Sequence, residues 1–271
     1  MHPHIVIFGQ NIQTYYVCAA AAGLLGAALS SAALRKIRQE AWAYILPLLI
    51  IISALFGARI LNFLTYPGAY THGFHLWTFS YRQLSLMGGL VAGTAVIMLY
   101  CYFRKTRLPL IADALTLPAA AGIILLKLGC FFNGCCFGKP TDGPFGLVFP
   151  ANEFRYEFLN SLQVIKAKSP VVHPTQLYEI TGALAALALA VLLTRFLKLR
   201  EGSKSAIFSA AFCAARWIVL PFRELPYEKR VISTFYPVLY ASFIFLSLGY
   251  LLYVNLRKQK ENSSVSQTDY E

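Results

Sequence analysis

Apolar residues along this chain fall into seven long runs separated by polar stretches. The runs cover approximately residues 14–34, 44–64, 84–103, 109–129, 176–195, 205–222 and 233–255. Each is close to the length of about 20 residues that an α-helix needs to cross a lipid bilayer. The pattern therefore predicts an all-α, polytopic membrane protein with seven transmembrane helices.

The composition agrees with this prediction. Apolar residues make up 57% of the chain and charged residues only 13%, and the mean hydropathy is +0.56. Ordinary soluble domains are far more polar. We expect one transmembrane domain over residues 1–256, with a partly helical loop at the outer face over 130–175. The polar residues 257–271 are expected to form a disordered cytoplasmic tail.

The chain has a net charge of +12, and 13 of its 24 Lys and Arg residues follow every second apolar run. These residues are Arg35, Lys36, Arg38, Arg104, Lys105, Arg107, Arg195, Lys198, Arg200, Lys204, Arg257, Lys258 and Lys260. Cytoplasmic loops carry such an excess of Lys and Arg. The N-terminus is therefore predicted to lie outside and the C-terminus in the cytoplasm, and no nucleic-acid partner is needed to explain the basicity.

A glycine-rich stretch follows the fourth run. Residues 127–150 read KLGCFFNGCCFGKPTDGPFGLVFP and combine a cation, an amide, glycines and aromatic residues. Irregular backbone at the depth of a membrane is tolerated only where it is buried in protein or lines a polar cavity. We therefore predict that this stretch forms a wall of an active site.

Once the runs are oriented, polar residues from distant parts of the chain fall at or near the outer surface. They are Tyr15, Arg59, Lys127, Asn133, His173, Glu179 and Arg216. A cation inside the membrane costs at least about 2.5 kcal/mol and indicates a functional site. Glu179 needs a partner, for which Arg59, Lys127 and Arg216 are available. The excess of positive charge predicts an anionic ligand such as a phospholipid phosphate.

Two further expectations concern the last two runs. Arg216 and Arg223 are seven residues apart, so we expect them to share one helix face. The seventh run shows no polar group comparable with those of the other runs.

Several of these residues also have simpler explanations. Tyr15 is typical of an aromatic belt at the membrane interface, and Arg59 could extend its side chain to the lipid headgroups. Gly88 and Gly89 could serve helix packing as well as close approach of a ligand. His173 could be a structural residue at the entry of a helix.

Three of the six cysteines lie in the glycine-rich stretch, at positions 130, 135 and 136. Their spacing matches no common zinc motif. A disulfide in the oxidising outer space stays open as an alternative, although packing is the favoured explanation. We predict no metal site and no cofactor.

Five segments and one tyrosine together resemble bacterial prolipoprotein diacylglyceryl transferase. They are FGARI, LMGGLVAG, the glycine-rich stretch, HPTQLYE and AARWIVLPFRE, with Tyr15 near the start. The similarity extends from the first run through the sixth. It implies a seven-span enzyme of the bacterial cytoplasmic (inner) membrane that transfers diacylglycerol from phosphatidylglycerol to the lipobox cysteine thiol of a prolipoprotein, with release of glycerol-1-phosphate. Its partners would be phosphatidylglycerol, prolipoprotein signal peptides and membrane lipids, and a monomer is expected.

The resemblance and the charge pattern together predict the site residues. The predicted catalytic residues are Arg216, Lys127, His173 and Tyr15. The predicted substrate-binding residues are Arg59, Asn133, Gly134, Gly138, Gly88, Gly89, Gln176, Tyr178, Glu179 and Arg223.

Two departures from the family pattern bear on catalysis. Met87 stands where the family has a histidine that is proposed as the base for the thiol, and Cys130 replaces an asparagine. Because methionine cannot accept a proton, the alternatives are a non-catalytic lipid-binding membrane protein or a related transferase with a different acceptor. A thiol beside several cations has a lowered pKa, however, so a base is less essential than the groups that stabilise the leaving phosphate.

Overall fold

The chain folds into seven long helices in a computed structural model that describes residues 4–7, 9–37, 41–70, 84–149, 171–225 and 227–268. The helices are α1 (Thr14–Arg35), α2 (Trp42–Thr65), α3 (Leu86–Arg104), α4 (Leu108–Asn133), α5 (Thr175–Phe196), α6 (Ser203–Val219) and α7 (Tyr236–Thr268). Each belongs to a helical segment that is long and apolar enough to cross a membrane, and for α6 this segment extends through the 3₁₀ turn to Phe222. The predicted fold class is confirmed.

Both ends of the chain differ from the expectation. A two-stranded antiparallel hairpin, β1 (His4–Ile7) and β2 (Gln10–Gln13), precedes α1, and a pattern of long apolar runs does not detect such short strands. Helix α7 continues to Thr268, past the residue at which the disordered tail was expected to begin. Residues 150–170 of the loop that was expected to be partly helical lie outside the described residues, and the domain limits stay predictions.

Helix α4 is the centre of the bundle, since it packs against α1, α5 and α6. The core between α4, α5 and α6 is made mainly of alanines, with Ala120, Ala183 and Ala190 completely buried against Phe212. Small residues let helices approach closely where lipid supplies no hydrophobic driving force. Large apolar side chains lie instead on the outside of the bundle, where they are suited to contact lipid; examples are Leu24, Phe103, Ile218 and Phe245.

The helices alternate in direction, so each end of the bundle collects defined helix termini. The starts of α1, α3, α5 and α7 lie with the ends of α2, α4 and α6, and we call this the site end of the bundle. At the opposite end, the Asp113 carboxylate accepts the backbone N–H groups of Gly202 and Ser205, both at 2.8 Å. A residue of α4 thereby caps the start of α6, as is usual for carboxylates at helix N-termini.

Helices α2 and α3 cross at two glycines near the site end. A methyl group on Gly88 would collide with the carbonyl oxygen of Gly57 and lie 2.6 Å from the Cβ of Leu61. At Gly89 the nearest atom would be the carbonyl oxygen of Ala54, at 3.1 Å. The two backbones therefore touch, and the paired glycines of α3 have a packing function.

We predict that Gly88→Ala lowers the stability of the protein, because the added methyl group must push α2 and α3 apart. Overpacking of this kind costs about 1–3 kcal/mol, and thermal unfolding of the purified protein in detergent should show it as a lower Tm. Gly93→Ala is the matched control on the same helix, because its methyl group would lie 3.5 Å from Ile50, an ordinary contact. An unchanged Tm for Gly88→Ala would contradict the close crossing.

Candidate active site

The side chain of Glu179 holds three cations at the site end of the bundle. Its Oε2 atom lies 2.7 Å from the Lys127 ammonium and accepts a hydrogen bond of 2.6 Å from Nη1 of Arg216. Its Oε1 atom lies 3.2 Å from Nη1 of Arg223. We call Lys127, Arg216 and Arg223 around Glu179 the cation cluster.

The cation cluster is almost completely removed from solvent. Glu179 is 3% exposed, Lys127 7% and Arg216 5%, and the side chain of Arg223 is 13% exposed. Buried ions are costly unless they are paired and hydrogen-bonded. One carboxylate against three cations leaves a net charge of +2, so the cluster is suited to bind a further anion.

The residues of the cation cluster lie on different elements of the fold. Lys127 lies near the end of α4, Glu179 one turn into α5, and Arg216 in the last turn of α6. Arg223 does not lie on α6. The helix ends at Val219 and a 3₁₀ turn follows, so the expectation of a shared helix face is wrong although both arginines meet at Glu179.

A backbone bridge places Arg223. Gly138 of the glycine-rich stretch pairs with Arg223 as an isolated antiparallel bridge, and the N–H of Lys139 donates to the carbonyl oxygen of Phe222 at 2.9 Å. A side chain at Gly138 would collide with that carbonyl group and lie 2.7 Å from Thr175. The glycine therefore allows the close approach that holds Arg223 over the start of α5.

Tyrosines of α7 complete the surroundings of Arg216. The Tyr240 hydroxyl accepts a hydrogen bond from Nε of Arg216 at 3.3 Å, and the guanidinium lies 5.8 Å from the Tyr240 ring centre. Tyr236 packs beside Tyr240. The prediction that the seventh run has no comparable polar group is wrong, because a tyrosine hydroxyl inside an apolar run gives no signal in hydropathy.

Arg59 is buried at the site end, where its described contact is with Tyr70, whereas the described ion pairs of Glu179 are with Lys127, Arg216 and Arg223. The Arg59 guanidinium lies 5.4 Å over the ring of Tyr70, whose hydroxyl donates to Oδ1 of Asn62 at 3.0 Å. The Asn62 amide donates in turn to the Tyr227 hydroxyl at 3.4 Å. Tyr227 stacks on Tyr236, so a row of tyrosines connects this second polar region with the cation cluster.

His173 lies at the entry of α5 and contacts its own neighbours. Its Nδ1 atom is 3.2 Å from the Tyr178 hydroxyl, and its ring packs edge-on against Phe222 at 5.1 Å. Its carbonyl oxygen accepts the N–H of Gly138 at 2.7 Å. These contacts fit a structural role; the predicted catalytic and substrate-binding roles of His173 and Tyr178 stay predictions.

The end of α4 is closed by Gly134 in the left-handed region, with φ 68°. The N–H of Gly134 donates to the carbonyl oxygen of Phe131 at 3.2 Å and that of Cys135 to the carbonyl oxygen of Cys130 at 3.0 Å, which is a Schellman motif. Asn133, the last residue of the helix, is 2% exposed. Glycine is required here because other residues are strained at positive φ.

The remaining predicted residues lie at different distances from the cation cluster. Tyr15, at the start of α1, packs near Gly129 of α4, and Gln176 of α5 donates from Nε2 to the carbonyl oxygen of Cys135 at 2.6 Å. The described contacts of Gly88 and Gly89 are with α2. Met87 is 1% exposed and belongs to a buried cluster that also contains Tyr240, the partner of Arg216.

Fold and site together define a class: a multi-pass membrane protein with a buried, net-positive site at one end of its helix bundle. The sequence of this chain is similar to the sequences of known proteins of one family. The model of the family "Prolipoprotein diacylglyceryl transferase" matches residues 3–260. This chain belongs to the prolipoprotein diacylglyceryl transferase family.

Individual relatives carry the same name, phosphatidylglycerol--prolipoprotein diacylglyceryl transferase. The protein of Synechococcus sp. (strain CC9902) is 31% identical over 229 residues, which is 80% of this chain and 78% of the relative. That of Parasynechococcus marenigrum (strain WH8102) is 31% identical over 72% of this chain and 68% of its own. That of Cutibacterium acnes (strain DSM 16379 / KPA171202) is 27% identical over 66% and 59%.

We predict that Glu179→Gln destabilises the protein, because three buried cations would lose the counter-charge that they share. Removing one partner of a buried ion pair costs about 3–5 kcal/mol, which thermal unfolding in detergent should detect. Glu201→Gln is the control, since its ion pair with Arg107 is 2.8 Å long but exposed and such pairs contribute at most about 1 kcal/mol. Equal effects of the two substitutions would contradict the role given to Glu179.

Proposed function

We propose that this protein transfers the diacylglyceryl group of phosphatidylglycerol to the lipobox cysteine thiol of prolipoproteins, at the outer face of the bacterial cytoplasmic membrane. The family and the names of the relatives support this activity. The observation that carries the mechanism is the net +2 charge of the cation cluster within the helix bundle.

The charge of the cation cluster fits the change of charge in this reaction. The phosphodiester of phosphatidylglycerol carries one negative charge. When the thiolate attacks the diacylglyceryl carbon and the C–O bond breaks, the leaving glycerol-1-phosphate carries two. Groups placed where charge develops stabilise the transition state more than the ground state. A net +2 site therefore favours departure of the phosphate.

The members of the cation cluster differ in what they offer a phosphate. Arg216 and Arg223 carry planar guanidinium groups that can donate to two phosphate oxygens at once, whereas Lys127 supplies a compact charge. Glu179 orients all three, and it keeps them from repelling one another before the lipid binds. In this proposal Arg216 and Lys127 are the catalytic cations, and Arg223 and Glu179 belong to the phosphate site.

The position of the cation cluster along the helices fits a lipid substrate. Lys127, Glu179 and Arg216 each lie within about two turns of a helix end, so a headgroup can reach them while the acyl chains stay in the bilayer. The distribution of Lys and Arg supports an outward-facing site end, because the cations gather at the opposite helix ends. The prolipoprotein signal peptide would then present its cysteine from the outer side to a monomeric enzyme.

A direct assay tests the function. The purified protein is incubated with phosphatidylglycerol and a lipobox peptide, and mass spectrometry follows the diacylglyceryl thioether while a second assay follows glycerol-1-phosphate. A peptide with serine in place of cysteine is the control. Binding of phosphatidylglycerol without thioether would favour a lipid-binding protein, and release of glycerol-1-phosphate without peptide modification would favour another acceptor.

We predict that Arg216→Ala abolishes thioether formation, because the leaving phosphate loses a buried cation. Loss of one donor to a developing negative charge lowers kcat by about 10²–10³-fold. Arg35→Ala, an exposed cation at the other end of the bundle, should keep full activity. Thermal unfolding shows whether each variant is folded, and a folded Arg216→Ala protein with the rate of the wild type would refute the role of this residue.

A further inference from the structure

Three thiols meet directly beside the cation cluster. The Sγ atoms of Cys130, Cys135 and Cys136 all lie within 4.8 Å of one another. Cys130 is 6% exposed and Cys135 1%, and Cys136 is partly buried. All three are free thiols. We call them the cysteine cluster.

The backbone holds the cysteine cluster from several sides. The Schellman motif at the end of α4 turns the chain so that Cys135 returns to Cys130, whose carbonyl oxygen it contacts. Cys136 has φ 60°, a left-handed conformation that a residue other than glycine adopts at a cost. Two side chains of α5 hold the backbone carbonyl groups of Cys135 and Cys136. Nε2 of Gln176 donates to the carbonyl oxygen of Cys135 at 2.6 Å, and Oγ1 of Thr175 donates to that of Cys136 at 2.8 Å.

The spacing of the three sulfur atoms fits a soft metal ion. With Zn–S bonds of about 2.3 Å, the sulfur atoms of a tetrahedral zinc site lie about 3.8 Å apart, which small side-chain rotations can reach from the present arrangement. Thiolates are the ligands that soft ions prefer over carboxylates and carbonyl groups. A C-x₄-C-C spacing matches no common zinc motif, but the turn at Gly134 brings the sulfur atoms together in space.

The charge around the cysteine cluster suits a metal site that is negative overall. Lys127 and Arg223 lie close enough to Cys136 to interact with it electrostatically. Three thiolates and one divalent ion carry a net charge of −1, which the adjacent cation cluster of +2 can balance.

We propose that Cys130, Cys135 and Cys136 bind a thiophilic divalent ion of the zinc class, with a fourth coordination position open to the thiol of the incoming lipobox cysteine. This proposal rests on the proposed function for its acceptor, but the three protein ligands do not depend on it. Zinc sites with three protein ligands and one open position are the catalytic kind. In the proposed function, a phosphate bound at the cation cluster would place the phospholipid next to this open coordination position.

The proposal explains how a thiol reacts without the base that Met87 cannot supply. A thiol that coordinates the ion loses its proton to water. The resulting thiolate gives an electron pair to the diacylglyceryl carbon, the C–O bond breaks, and its electron pair leaves on glycerol-1-phosphate. Nothing is oxidised or reduced. The product is a thioether, which is a much poorer ligand than a thiolate and leaves the ion.

Metal binding can be measured on the full-length wild-type protein in detergent. After reduction of the thiols and equilibration with ZnCl₂, elemental analysis should find one zinc per chain, and CoCl₂ should give the charge-transfer absorption of Co²⁺ bound to thiolates. Cys136→Ser should weaken binding by more than the 10- to 100-fold typical for loss of a supporting residue. Cys101→Ser is the control, because Cys101 is a buried cysteine at the opposite end of the bundle.

Binding of a lipobox cysteine at the fourth coordination position can be tested on the wild-type protein, so this result does not depend on whether a variant folds. Addition of a lipobox peptide should shift the d–d bands of the Co²⁺ protein, and the serine peptide should leave them unchanged. Absence of bound metal, a disulfide within the cysteine cluster of the purified protein, or an unchanged spectrum with the cysteine peptide would each overturn the proposal.

Measurements of turnover distinguish the proposed metal site from the proposed transferase function. Removal of the ion with a chelator should lower thioether formation at least tenfold, and ZnCl₂ should restore it. Full activity in metal-free protein would overturn the metal proposal and leave the transferase function intact. Metal binding and a peptide-dependent spectrum without any thioether would instead support the metal site and contradict the transferase function.

Discussion

The carboxylate of Glu179 is the constraint on which the arrangement of the site depends. Three cations inside a bundle of apolar helices repel one another and lose their hydration, and only a shared counter-charge makes their proximity tolerable. Glu179 supplies it with contacts of 2.6–3.2 Å to residues of α4, α6 and the segment after α6. Helices α4, α5 and α6 are therefore joined at the site end by charge, and along their length by the alanine-rich core.

The incomplete neutralisation of this centre has a functional meaning. A site with equal numbers of positive and negative groups would be more stable in isolation but would have no preference for an anion. In the proposed function, part of the electrostatic cost of the +2 charge remains until a phosphate binds. Buried charged groups in perturbed environments cluster at functional sites.

Seven helices and their approximate ends could be predicted from the sequence, because hydropathy follows directly from the bilayer, and so could the gathering of Lys127, Glu179 and Arg216 at one end of the bundle. The pairing of Glu179 with Lys127 and Arg216 was also foreseeable, since a buried charge requires a partner. Arg223 was not correctly placed, because its position depends on a backbone bridge to Gly138. The contacts of the α7 tyrosines depend on tertiary structure, and the proximity of the cysteines depends on the helix cap at Gly134. Neither feature can be read from the spacing of residues in the sequence.

The proximity of the cysteine cluster to the cation cluster suggests why the loss of a base could be tolerated in this branch of the family. Negative charge begins on a thiolate and ends on a phosphate, and Lys127 and Arg223 interact electrostatically with Cys136 while they contact Glu179. The charge then moves within one positive field and needs no rearrangement of the surroundings, which is the condition for efficient electrostatic catalysis. A histidine at position 87 would be needed to create the thiolate only if nothing else lowered the pKa of the acceptor thiol. In the proposed metal site, positive charge and a soft ion both favour the thiolate, and the apolar Met87, which belongs to the same buried cluster as Tyr240, adds no further charge to the site.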